Sequence, residues 1–175
     1  MLHVVADTGE VWRCHTWDTP LGPFTVIFAP GAVVAATFDA PSPTLWFGRR
    51  VDPGHPPPWL SELVERAWRE GLGPVAWRLV DPGLTPLEAL ALAYATAIPF
   101  GTTCAYGELA RRMGYPGRAR LVGRAMGRSP AALLIPTHRV VRADGTPAPP
   151  ERGGIAEALR RYEQWASVSA GGDAD

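Results

Sequence analysis

Lysine and asparagine are absent from these 175 residues, and all 17 basic side chains are arginine. Both missing residues are encoded by adenine-rich codons, so a GC-rich genome accounts for the absence and no recognition chemistry is read from arginine alone. Cysteine is scarce: Cys14 and Cys104 lie far apart without a CxxC or CxxH partner, which leaves no disulfide framework and no zinc knuckle. No apolar run approaches the roughly 20 residues of a membrane-spanning helix. The start, Met1-Leu2-His3-Val4 with acids at Asp7 and Glu10, lacks the basic and apolar stretches of a signal peptide. A soluble, cytoplasmic chain is expected. With 46% hydrophobic and 19% charged residues it can bury a core, which excludes a disordered tail or a collagen-like fibre.

The net charge of zero hides an uneven distribution. Residues 1–104 carry 6 Arg against 10 acids (−4), residues 105–142 carry 8 Arg against Glu108 alone (+7), and residues 143–175 carry 3 Arg against 6 acids (−3). One strongly basic segment in a neutral chain points to a polyanion there.

Val11–Trp17, Phe24–Phe28 and Val33–Phe38 are short Val-, Phe-, Thr- and Trp-rich runs separated by Pro/Gly turns, which predicts an antiparallel meander. Pro41–Pro58 reads as a loop. Leu60, Leu63, Val64 and Ala67 then fall at helical spacing, with Gly71 and Gly73 as stops, and Val75–Val80 returns as a strand. Asp81-Pro82-Gly83 is a linker, so residues 1–80 are expected as a small mixed domain, 81–84 as a linker, 85–170 as a helical domain and 171–175 as a tail. The fold class is α/β (α+β), a mixed sheet-and-helix domain followed by a helix-turn-helix, winged-helix-like domain.

In the second domain Thr85 and Glu88 form a capping box with Pro86 at the first helical position, and Leu87, Leu90, Ala91 and Tyr94 mark the expected buried face. That helix ends before Pro99. A helix over Tyr106–Met113, a turn at Tyr115-Pro116-Gly117 and a helix over Arg118–Gly127 give the helix-turn-helix pattern. On a wheel of the last helix Ala119, Val122, Gly123 and Met126 face the core. Gly117, Arg120, Leu121, Arg124 and Arg128 fall on the other side. Arg111, Arg112, Arg118, Arg124, Arg128, Arg139 and Arg142 are candidates to neutralise phosphates.

Leu133-Leu134-Ile135-Pro136-Thr137-His138-Arg139-Val140-Val141 interrupts an apolar run with a polar triplet that does not suit a core. On these residues the sequence resembles the O6-alkylguanine-DNA alkyltransferase family, whose Pro-Cys-His-Arg motif is flanked by Ile and Val-Val in this way. Asp18-Thr19-Pro20-Leu21-Gly22-Pro23, the segment from Ile98 through Gly107-Glu108-Leu109-Ala110, and Arg118–Met126 extend the resemblance over most of the chain. The resemblance implies that Thr137 stands at the acceptor cysteine, that His138 and Glu163 are remnants of its relay, that Tyr106 flips the nucleotide and that Arg120 fills the vacated stack. It implies a DNA-binding set of Tyr106, Arg118, Ala119, Arg120, Leu121, Gly123, Arg124 and Arg128, entering the minor groove. The lesion pocket it implies comprises Tyr106, Ser129, Pro136, Thr137, His138, Arg139, Val140 and Glu151, with Ser129 where the family commonly has Asn and Glu151 or a neighbour where it has an aromatic wall.

A threonine hydroxyl is essentially never ionised near neutrality, whereas a thiol has a pKa of about 8.5 before tuning. The expectation is therefore a chain that is not an enzyme. It resembles the alkyltransferase-like branch, which binds alkylated guanine in duplex DNA without transfer and signals to nucleotide excision repair proteins. A monomer in the cytoplasm, on the bacterial nucleoid, is expected, with no cofactor and no metal, since His3, Cys14, His15 and His55 match no zinc spacing. The competing readings are a residual transferase or hydrolase using Thr137 or Cys104, and a helix-turn-helix transcription regulator reading the major groove.

Overall fold

The computed structural model describes residues 2–38, 49, 51–73, 76–146 and 154–170. The expected meander is present as β2 (Trp12–Thr19), β3 (Gly22–Ala29) and β4 (Ala32–Thr37), after a first strand β1 (Leu2–Val5). The Pro-rich stretch is not all loop. It contains β5 (Val51–Pro53), parallel to β2, and its last proline, Pro58, opens α1 (Pro58–Arg69) at the position where a missing N–H costs nothing. Strand β6 (Trp77–Val80) runs parallel to β1 and β4, completing a six-stranded mixed sheet in the order β1-β6-β4-β3-β2-β5.

Phe24 to Ala29 are all buried, as a central strand covered on both faces requires. Phe24, Val26 and Phe28 point into a core shared with Leu60, Leu63 and Val64 of α1, while Ile27 and Ala29 join Trp12, Val34 and Val51 on the opposite face. The first core continues without interruption into Leu92, Leu109, Val122 and Leu134 of the helical half.

Helices α2 (Pro86–Ala95), α3 (Tyr106–Arg112) and α4 (Ala119–Arg128) follow, then a 3-10 turn (Thr137–Arg139) and α5 (Ile155–Ala170). The α2 capping box forms as expected, but the buried face does not. Glu88, Ala91, Leu92 and Ala95 are buried, Leu87 and Leu90 only partly, and Tyr94 is exposed. Glu88 turns inward because it bonds Thr85 and takes two arginines from α4, which rotates the helix away from the hydrophobic count. Among the described residues no helix is long and apolar enough to cross a membrane.

Two links fix the 3-10 turn, one on each side. Ala36 of β4 donates its N–H to Pro130 and accepts from the N–H of Ala132, both at 2.9 Å, so the helical half is stitched to the sheet. Strands β7 (Cys104–Ala105) and β8 (Val140–Val141) pair in parallel and hold the far side of the turn beside the start of α3. Between these links Leu133 adopts φ 65°, a conformation that costs a residue with a Cβ about 1 kcal/mol, while its side chain is buried.

Candidate nucleic-acid interface and lesion site

Helix α4 stands at the surface with Val122, Ala125 and Met126 buried. Arg118 caps its N-terminus and is exposed, Ala119 and Gly123 are half-buried, and Arg120 is exposed with no ion pair among the described residues. The Tyr106 ring lies against Gly123, where an added Cβ would meet Tyr106 Cε1 at 3.9 Å. Tyr106 opens α3, is half-buried, and has its phenol pKa raised by burial. Tyr106, Gly123 and Arg120 are thus neighbours in one surface patch.

The arginine stripe is not uniform. Arg124 Nε donates to Glu88 Oε1 at 2.9 Å, and Arg128 Nη1 donates to both Glu88 oxygens at 3.2 and 3.0 Å while its Nη2 reaches Gly83 O at 2.8 Å. Leu121, placed by the wheel among the arginines, packs against the core instead. Arg111 and Arg112 pair with Glu108 on their own helix, whereas Arg142 is exposed. Arg139 is corrected as a phosphate candidate: it is 2% exposed, and its guanidinium points inward.

That inward cluster is buried and densely hydrogen-bonded. Glu163, reaching in from α5, accepts from His138 Nε2 at 2.6 Å, from Arg139 Nε at 2.9 Å and Nη2 at 2.8 Å, and from the Gly101 N–H at 3.1 Å. Arg139 Nη1 closes the shell on Ile98 O at 2.7 Å. Burial alone would raise the Glu163 carboxyl, but the bonds from His138 and Arg139 outweigh it and hold its pKa down to about 2. Burial lowers the His138 pKa. A neutral imidazole beside an ionised carboxylate must donate through Nε2, which leaves Nδ1 as the acceptor nitrogen. Two glycines make room: a Cβ on Gly71 would come within 2.8 Å of Arg139 Nη2, and one on Gly101 within 3.0 Å of Ser167 Oγ. Both have positive φ.

Thr137 directly precedes His138 in the 3-10 turn, and the pairing of β7 with β8 sets Tyr106 just beyond the strand beside that turn. Thr137 is half-buried, its backbone is held by Ile135 and Val140, and its hydroxyl has no hydrogen-bond partner among the described residues. Ser129, Pro136, His138, Arg139 and Val140, expected to line the lesion pocket, are buried. Glu151 lies outside the described residues. Cys104 is buried, and burial raises its thiol pKa, as it does for Cys14. Among the described residues no group of three or more His, Cys, Asp or Glu side chains is placed to hold a metal ion.

Sequence reasoning missed the second role of Glu88, whose capping signal was visible but whose α4 partners lie 36 and 40 positions on. It also missed Arg160, which donates to the His138 carbonyl at 3.2 Å, and the room that Gly71, read only as a helix stop, and Gly101 leave around the cluster. No local pattern marks these three roles.

Residues 87–164 match the family model for the 6-O-methylguanine DNA methyltransferase DNA-binding domain. The methylated-DNA–protein-cysteine methyltransferase of Mycobacterium tuberculosis is 33% identical over 138 residues, which cover 75% of this chain and 79% of that protein. The solved O6-methylguanine methyltransferase of Mycobacterium tuberculosis superimposes with a TM-score of 0.69 at 28% identity, covering 89% of this chain and 93% of that one. The OGT protein of the same organism in complex with DNA gives 0.68 at 26%, over 88% and 94%. These relatives correct the expectation that the chain stands outside the enzymes: they are named as methyltransferases, and that expectation rested on residue 137 alone whereas the likeness extends along the chain. Sharing a third of its residues over most of both lengths, the protein belongs to the methylated-DNA–protein-cysteine methyltransferase family, as a DNA-binding member of an alkylguanine-repair family.

Proposed function

We propose that the chain recognises O6-alkylguanine in duplex DNA by laying α4 in the minor groove, rotating the damaged nucleotide outward past Tyr106, filling the gap with Arg120, holding the base over Thr137, and so marking the lesion for nucleotide excision repair proteins. The observation that carries this reading is the patch itself. Arg120 is exposed without a partner among the described residues, on a helix whose Ala119 and Gly123 leave space, and Tyr106 packs on that glycine. Arg118 and Arg142 are placed to neutralise phosphates. Extruding a base costs a few kcal/mol, less where pairing is already weakened, so part of the selectivity for damage is energetic. The likeness to the alkyltransferase-like branch rests on Thr137 standing where the family's motif has cysteine.

The names of the relatives favour a second reading, in which the alkyl group leaves the guanine after extrusion. Both are tested by titrating a duplex containing one O6-methylguanine, with a fluorescent base analogue beside it, against the matched plain duplex, and then weighing the protein. Tighter binding and a fluorescence rise on the lesion duplex alone are expected. Equal affinity with no fluorescence change overturns lesion recognition. A gain of one methyl on the protein assigns transfer, and Thr137→Cys is expected to transfer faster than its parent, because a thiolate suits displacement at saturated carbon.

A further inference from the structure

Away from α4, Trp17 near the end of β2, Trp68 on α1 and Tyr162 on α5 wall a recess of about 390 Å³ that also carries Asp18 and Glu65. Trp68 meets Tyr162 edge-on with ring centres 5.1 Å apart and is braced from behind by Phe24 and Phe38, also edge-on. His15 stands edge-on to Trp17 at 4.6 Å, and Trp165, 66% exposed, lies 6.2 Å from Tyr162. Aromatic walls beside carboxylates are the chemistry that recognises an organic cation, whose charge sits on the negative faces of the rings.

Two further observations narrow the ligand. Asp18 is exposed and has no partner among the described residues. Among the described residues Glu65 is engaged only by Arg69, at 3.3 Å in an exposed pair of the kind that water and salt screen, so Arg69 is a weak competitor for the site. We propose that this recess takes an arginine or lysine side chain from an extended segment of a partner protein, with the cation over the rings and its N–H groups donating to Asp18. The two carboxylates repel phosphate, so the recess is not an extension of the DNA surface. It includes no member of the DNA-facing set, and it stands whether or not the lesion reading does.

The test uses the whole protein labelled with nitrogen-15, whose seven tryptophan indoles are separate reporters. The probes are the capped tripeptide Ac-Gly-Arg-Gly-NH2, its glutamine counterpart, tetramethylammonium chloride and thymidine. Saturable shifts of the Trp17 and Trp68 resonances by the arginine peptide are expected in the range of about 1 mM, the strength of a single anchored side chain. The glutamine peptide should move neither, and tetramethylammonium should bind more weakly because it has no N–H to donate to Asp18. Trp17→Leu and Asp18→Asn, both at the surface, should each weaken the peptide by about twofold to fivefold, with lesion-DNA affinity and the remaining indole spectrum unchanged. Equal response to the glutamine peptide, tighter binding of thymidine or tetramethylammonium, or full peptide affinity in both variants overturns the proposal.

Discussion

Two carboxylates in this protein each gather two basic side chains, and they do so in opposite settings. Glu163 and its partners His138 and Arg139 are all at most 3% exposed. Glu88 is also fully covered, but the arginines on it, Arg124 and Arg128, are 61% and 43% exposed along their side chains. The first cluster has no contact to exchange, because every oxygen of Glu163 is taken and nothing outside can reach the donors. The second holds its cations at the surface, where a phosphate can compete for them. Burial of the cation, rather than of the acid, separates a frame from a reservoir.

The largest effect is expected when the frame is broken. Glu163→Gln leaves the Arg139 charge buried without a counter-ion, which costs about 3–5 kcal/mol, read as a large fall in the thermal midpoint. A variant that melts within a few degrees of the parent would show that Arg139 finds another partner. Next comes Arg120→Ala. If Arg120 fills the stack, its loss leaves a few kcal/mol of unstacking uncompensated, or about a hundredfold in affinity for lesion DNA. Plain duplex should then lose much less. An equal loss on both duplexes reduces Arg120 to a phosphate contact.

Glu88→Gln probes the reservoir. The cap weakens by about 1 kcal/mol, but Arg124 and Arg128 are released, so affinity for plain duplex should rise. The plot of log affinity against log salt should steepen by up to about two phosphates, each contributing roughly −0.9. A slope that stays unchanged means that the two arginines reach phosphate while still on Glu88, or never do.

The smallest effect is a difference in pH dependence. Glu88 and Glu163 both have folded pKa values of about 2, below the 4.5 of a free glutamate. Each therefore contributes stability that is present above about pH 4.5 and lost as the pH falls toward 2, because the unfolded chain binds the proton first. For Glu88 the lowering comes chiefly from the Thr85 backbone N–H. His138, lowered by burial, acts in the same sense at higher pH, so stability should begin to fall below about pH 6.5. Chemical denaturation at pH 5 and 3.5 should show Glu88→Gln taking up about one proton fewer on unfolding between those values. An identical slope in parent and variant would contradict the lowered Glu88.

The elements that could be read from the chain were those whose cause is local. The Thr85–Glu88 box, Pro86 at a helix start and the Gly-rich turns each act within a few residues, and β2 to β4 and helices α1 to α4 followed. Strand β1 was missed because Leu2–Val5 has four residues and a parallel partner at Trp77–Val80. The face of α2 was misread because hydrophobic counting cannot see that Glu88 is drawn inward by Arg124 and Arg128. At the site, Glu163 was placed by resemblance; nothing in Arg161-Tyr162-Glu163-Gln164 announces a bond to His138 25 positions earlier. Arg139 was misjudged because an arginine in a basic segment reads as a surface charge until a buried acid is found for it.

The two hydrogen bonds through Ala36 bear on how the gene may be cut. The family match begins at residue 87, after the sheet, yet the strand that props Pro130 and Ala132 ends at Thr37. A fragment trimmed to the matched region would keep α4 and its arginines but lose the shelf on which the approach to Thr137 rests, together with half of the core beneath it. Such a fragment should still cling to DNA through charge while failing to present residue 137 in one defined position. The unit that the family model picks out is therefore smaller than the unit that folds.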